Sequence, residues 1–237
     1  MTQATYETGA LASVRQRLAA AEADGQTEYE CMGRSFAVHD GVFPPTHFQS
    51  TGIFTRHLPY PRGGRLLEIG CGAGVTAVTA ALEGCREVVA SDISEAAVRN
   101  TRANAARHGV TGKMSIRQGD LFEVLEPGER FDVIFWNSNF VFVEAEHVFD
   151  KAIMLAFCDP GYAAHKRFLD EAPEHLADGG LLLMGFSSQG DGGALEAMLA
   201  EHGYGSRRVA SVTGQGAGAP RYDILQLLPG AHAPAGA

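Results

Sequence analysis

The residues best placed to do chemistry lie in Leu66-Leu67-Glu68-Ile69-Gly70-Cys71-Gly72-Ala73-Gly74. Three glycines at alternate positions let a chain turn sharply and let a ligand approach the main chain closely. Glu68 adds an acid just before the turn. A second acid, Asp92, follows about 20 residues beyond Gly70, where a carboxylate can bind both hydroxyls of a ribose. A third, Asp120 in Gly119-Asp120-Leu121, can accept from an adenine amino group. The loop reads G-x-G-x-G rather than G-x-G-x-x-G, and the tighter turn suits an adenosine ligand without a pyrophosphate better than a dinucleotide. Asn137 closes the apolar run Phe131–Trp136, and strand ends of this kind bind ligands in α/β sheets.

Elements must position these groups, and the periodicity supplies them. Leu66–Ile69, Val88–Ala90, Met114–Arg117, Phe131–Trp136 and Gly180–Phe186 read as strands. They alternate with helices over Val75–Glu83, Ser94–His108 (Ser94 as its N-cap), Tyr162–Leu176 and Ala194–His202. Strands over Ser206–Val212 and Arg221–Leu228 end the series. Before it stand an amphipathic helix over residues 7–23, a hairpin from Arg34 to Phe43 around Asp40-Gly41, and a helix from Pro44 to about Leu58. Alternating strands and helices imply a doubly wound α/β fold with a mostly parallel sheet. The expected division is an N-terminal extension over residues 1–60, a cofactor-binding domain over 61–229 and a flexible tail over 230–237.

The chain has 237 residues, 45% apolar, with 29 glycines and a net charge of −9. That charge argues against a broad nucleic-acid or anionic-membrane face. Met1–Arg17 lacks a basic start followed by an apolar run, and no apolar stretch approaches the ~20 residues of a membrane span. Cys31, Cys71, Cys85 and Cys158 lack C-x-x-C spacing and read as reduced thiols in a cytoplasmic protein, and the scattered histidines give no reason to expect a metal.

With the glycine turn and spaced acids together, residues 64–228 resemble class I S-adenosylmethionine-dependent methyltransferases. The resemblance implies a Rossmann-like seven-stranded sheet with an antiparallel last strand. It implies S-adenosyl-L-methionine as cofactor, with Gly70, Cys71, Gly72 and Gly74 around its methionine part and Glu68 near its amino group. Asp92 and Ile93 would meet the ribose, and Asp120 and Leu121 the adenine. Gly41-Val42-Phe43-Pro44 and Phe131–Asn137 further resemble the methyltransferase small domain group, which methylates glutamine side chains or guanine amino groups. That group closes its fourth strand with Asn-Pro-Pro-Tyr or Asn-Pro-Pro-Phe, and its Asn helps to bind both cofactor and acceptor. Here the residues are Asn137-Ser138-Asn139-Phe140, which keep the Asn and the aromatic but neither proline.

The change at that motif and the acidic charge favour a small-molecule acceptor with a nitrogen or oxygen nucleophile. A protein glutamine or ribosomal RNA guanine is the alternative acceptor, and a methyltransferase-fold regulatory scaffold the non-enzyme alternative. Asn137 is the expected catalytic residue. Tyr29, His39, Asp40, His147 and Asp159 are candidates for the mouth of the site, and Phe140, Phe142 and Phe149 for an apolar wall. Trp136 is expected in the core, and Asp159–Tyr162 as a turn opening a helix.

Overall fold

A computed structural model describes residues 3–230; beyond Gly230, the expected flexible tail lies outside the described residues. Helix α1 (Gln3–Asp24) turns its Val14 and Leu18 inward, as the apolar spacing predicts. Strands β1 (Glu28–Cys31) and β2 (Arg34–Ala37) form an antiparallel hairpin. Its turn is Met32-Gly33, not Asp40-Gly41. Met32 and Gly33 take φ of 50° and 70°, the left-handed pair that suits a two-residue hairpin; Asp40-Gly41 makes a separate bend after β2. The expected helix from Pro44 shortens to α2 (Ser50–His57). Consecutive prolines at 44 and 45 hold the preceding backbone out of the helical region.

The remaining elements follow the sequence reading to within a few residues, except at β9. They are β3 (Arg65–Ile69), α3 (Val75–Leu82), β4 (Glu87–Asp92), α4 (Glu95–Arg107), β5 (Met114–Gln118) and β6 (Phe131–Asn137). Two three-residue strands, β7 (Val141–Val143) and β8 (Cys158–Pro160), pair in parallel around a 3-10 turn at Ala152–Ala156. Nothing in the periodicity announces them. Then come α5 (Ala163–His175), β9 (Leu176–Ser187, four residues longer at its start than read), α6 (Gly192–Glu201), β10 (Tyr204–Thr213) and β11 (Arg221–Pro229).

Seven strands form one sheet in the order β10-β11-β9-β6-β3-β4-β5. Strand β11 runs antiparallel to both neighbours, while β3 to β6 and β9 run parallel. Side chains alternate across each strand. Leu66 and Phe135 join one apolar layer with α3 and α4, while Leu67, Ile134 and Trp136 join another with α5 and α6. Phe36, Val42 and Phe54 share the first layer, so the hairpin, the loop after it and α2 pack directly onto the sheet. A third cluster joins Val14 and Leu18 of α1 to Val141, Val143, Met154 and Phe157. It fastens α1 over the C-terminal ends of the strands. Among the described residues no helix is long and apolar enough to cross a membrane.

Candidate active site

The glycine turn leaves β3 at the C-terminal edge of the sheet and opens α3. Gly74 has φ of 76°, and a Cβ there would lie 2.8 Å from Thr101 Cγ2, so any other residue collides with α4. Gly72, at φ 55°, has open space where its Cβ would project, leaving its backbone accessible to a ligand.

Side chains of α4 hold this loop from behind. Thr101 Oγ1 donates to the Gly72 carbonyl at 3.0 Å, and Asn104 Nδ2 donates to the Ala73 carbonyl at 2.8 Å. Asn104 also bonds both backbone groups of Ala37, and Asn100 bonds the Ala37 carbonyl and the His39 amide. The two asparagines were missed, although polar residues four apart on the inward stripe of a helix are the signal for them.

Glu68 is 3% exposed, and its Oε2 has no partner among the described residues. Burial pushes its carboxyl up to about 8 against the pull of hydrogen bonds from Thr76 and the Ala77 amide, with the nearby Asp92 adding to the rise. Asp92 ends β4. Its Oδ2 accepts from the Gly72 amide and its Oδ1 from the Ser94 amide, both at 2.9 Å. These bonds fix the carboxylate, while burial raises its pKa. Ile93, beside it, is exposed and lines the same cavity.

Beyond β5, the Gly119 amide donates to the Asp92 carbonyl at 3.0 Å, which ties the two loops together. Leu121 takes φ of 44°, an unusual conformation for a branched residue and a mark of a constrained site. Asp120 has a partner on α5. Arg167 Nη1 of α5 donates to its Oδ2 at 2.5 Å, and Arg167 also reaches Glu123 and Glu171. Sequence spacing gave no sign of this guanidinium.

Asn137 is half-buried at the end of β6, paired with Gly185 of β9. Its side chain makes no hydrogen bond to the described residues. The missing prolines are replaced by hydrogen bonds. Ser138 donates from both its amide and its Oγ to the Gly185 carbonyl, at 3.2 and 2.8 Å. Asn139 Nδ2 donates to the carbonyls of Leu155 and Cys158, at 3.0 and 3.1 Å. Tyr162 Oη donates to the Phe140 carbonyl at 2.8 Å.

Nine of the ten residues expected to bind a cofactor line one cavity of about 620 Å³; Gly74, packed against Thr101 of α4, is not among the described lining residues. Of the five mouth candidates, Asp159 alone is among the described lining residues. Its carboxylate caps α5, accepting from the Ala164 amide, the His165 amide and His165 Nδ1 at 3.1, 2.9 and 2.6 Å. His39 and Asp40 border a shallow depression elsewhere. Tyr29 and His147 do not line the cavity. Phe140 lines it, whereas Phe142 and Phe149 do not. Trp136 is buried in the core, and its edge also reaches the cavity under Gly70.

The charged groups among the described lining residues are Glu68, Asp92, Asp120, Asp159 and Arg167. An orphaned buried carboxylate oxygen, a fixed second carboxylate and an exposed glycine backbone suit a cationic adenosine ligand. The described residues include no group of three or more His, Cys, Asp or Glu able to hold a metal, and the four cysteines are free and buried.

A family model described as methyltransferase small domain matches residues 33–203. The chain belongs to that family. It is 33% identical over 188 residues to a release factor glutamine methyltransferase of Neisseria gonorrhoeae, covering 74% of this chain and 66% of that one. It is 31% identical over 134 residues to a ribosomal protein uL3 glutamine methyltransferase of Bordetella pertussis, covering 54% and 45%. The chain thus spans less than two-thirds of the length of either relative. A crystal structure of a ribosomal protein L11 methylase from Lactobacillus delbrueckii subsp. bulgaricus superposes with a TM-score of 0.51 at 17% identity, covering 75% of this chain and 76% of that one. That likeness shows the shared Rossmann-like methyltransferase fold.

Proposed function

We propose that this chain is an S-adenosylmethionine-dependent methyltransferase that methylates the side-chain amide nitrogen of a glutamine in a protein. The observation that carries the reading is Asn137. A neutral amide without a partner among the described residues ends the central strand, beside the acid-lined half of the cavity. Its Oδ1 and the following Ser138 carbonyl are acceptors for the two N–H groups of a planar primary amide. Held that way, the amide presents one face of its nitrogen, and orientation is most of what this transfer asks of a protein.

S-adenosylmethionine supplies the electrophile, a methyl group on a positively charged sulfur. Glu68 would hold its ammonium group, Asp92 its ribose hydroxyls, and the backbone at Gly70 and Gly72 its amino-acid part. Asp120 retains Oδ1 for the adenine amino group while Arg167 engages Oδ2.

The acceptor expected from sequence, a free small molecule, gives way here to the alternative. Both curated relatives described above are glutamine methyltransferases. An RNA guanine is disfavoured, because phosphate recognition needs cationic groups and the one cation of the described lining is paired with Asp120. One observation favours a second reading, a small carboxamide: Val14 of α1, Phe43 and Phe48 wall the far end of the cavity.

The test is transfer of label from tritiated S-adenosylmethionine into release factors, ribosomal proteins, ribosomal RNA and small carboxamides. Methylated glutamine in a protein supports the proposal. Label confined to carboxamides supports the second reading, and label in RNA overturns both.

A further inference from the structure

The far end of the cavity has a chemistry of its own. Phe43, Phe48 and Phe157 pack against one another with ring centroids 4.6–5.1 Å apart, and Val14 and Ile153 complete the wall. Phe48 and Phe157 are buried, but Phe43 and Ile153 are only half-buried. All five line the cavity. At the rim Leu155 is 43% exposed, a large apolar side chain left facing the opening.

The charged lining groups stand elsewhere. Glu68, Asp92, Asp120 and Arg167 border the cofactor loops, and both oxygens of Asp159 are taken up by the first turn of α5. A glutamine side chain is too polar to account for three phenyl rings and an apolar lip. Phe43 and Ile153 pack against the same cluster as Phe48 and Phe157, yet each stays half-buried and lines the cavity with the surface that packing leaves uncovered.

We infer that this end is an apolar subsite for the acceptor, taking an aromatic or branched aliphatic group carried next to the amide that is methylated. In a protein acceptor that group is the side chain of a residue flanking the glutamine. The inference rests on the reading of the cavity as a site of methyl transfer to an amide. Full burial of such a group discriminates by roughly 10–100-fold against an acceptor lacking it.

The full chain, saturated with S-adenosylhomocysteine, is titrated with toluene, benzamide and acetamide and followed by NMR. Toluene and benzamide are expected to bind, benzamide at least tenfold tighter than acetamide, with nuclear Overhauser contacts from the toluene methyl to the rings of Phe43 and Phe157. Ile153→Trp, which fills the subsite from its half-open side, is expected to abolish toluene binding and leave S-adenosylhomocysteine affinity unchanged. The contacts in the unsubstituted protein decide the matter should that variant fail to fold. Absence of toluene binding, binding without those contacts, or binding that survives Ile153→Trp in a folded protein overturns the subsite. Benzamide binding no tighter than toluene counts against the amide acceptor and leaves the subsite standing.

Discussion

Glu68 carries electrostatic tension in the site, because burial opposes its charge. Its carboxyl ionises near pH 8 in the ligand-free fold against about 4.5 in an unfolded chain. Between those values the native state holds a proton that the unfolded state has released, so stability falls as pH rises through the window. A ligand ammonium favours the ionised form, so binding expels the proton. Affinity for S-adenosylhomocysteine is therefore expected to rise with pH, approaching tenfold per unit below 8, and to lose that dependence in Glu68→Gln. Calorimetry across pH 6–8 measures it; a flat profile removes Glu68 from the ammonium site. Asp92→Ala deletes a carboxylate whose charge-assisted hydrogen bonds are worth roughly 1.5–3 kcal/mol each. Cofactor affinity should fall about tenfold or more while the circular dichroism spectrum is kept. Asn137→Ala should lower kcat about a hundredfold, the cost of a misplaced nucleophile, with cofactor affinity unchanged. Normal turnover with a lowered melting temperature would make Asn137 a loop support only.

The elements around the site are held by bonds between segments rather than by stiff residues. Ser138 and Asn139 secure the strand end through Gly185, Leu155 and Cys158, the work that prolines do in Asn-Pro-Pro-Tyr. Tyr162 joins three elements. It stands at the start of α5 with φ of 51°, donates to the Phe140 carbonyl after β6, and accepts from the Asp191 amide at the start of α6, at 2.8 and 3.1 Å. Tyr162→Phe removes this clasp and leaves two part-buried backbone groups without that partner. Urea denaturation should show a loss of about 1–3 kcal/mol. An unchanged midpoint would show that water replaces the hydroxyl at no cost.

At the scale of the whole molecule, one cavity roofed by α1 and the β7–β8 segment carries acids beside the glycine turn and phenyl rings beside α1, and the proposed function puts cofactor and acceptor together inside it. A ligand bound only by the folded state stabilises it by about 2.7 kcal/mol at a hundred times its Kd. For a chain of this size that raises Tm by roughly 5–10 °C. Differential scanning fluorimetry with S-adenosylhomocysteine and with NAD should show the rise for the first ligand only. The same shift with NAD would reject the adenosine-without-pyrophosphate reading of the glycine turn.

Local geometry was legible in the residues themselves. Gly70-Cys71-Gly72-Ala73-Gly74, Glu68, Asp92 and Asp120 could be read because turn, strand end and acid lie close in sequence or at a spacing that one βαβ unit imposes. The buried strands Leu66–Ile69 and Phe131–Trp136 could be read because an uninterrupted apolar run has few other places to go. Tertiary structure decided what depends on distant partners. It set Arg167 on Asp120, 47 residues apart, Asn104 behind Ala73, and Val14 beside Phe43 and Phe157 at the cavity's far end. It moved the hairpin turn to Met32-Gly33 and paired Val141–Val143 with Cys158–Pro160. Strands of three residues carry too little periodicity to be seen, and a side chain's partner across the fold is written only in the packing that brings the two together.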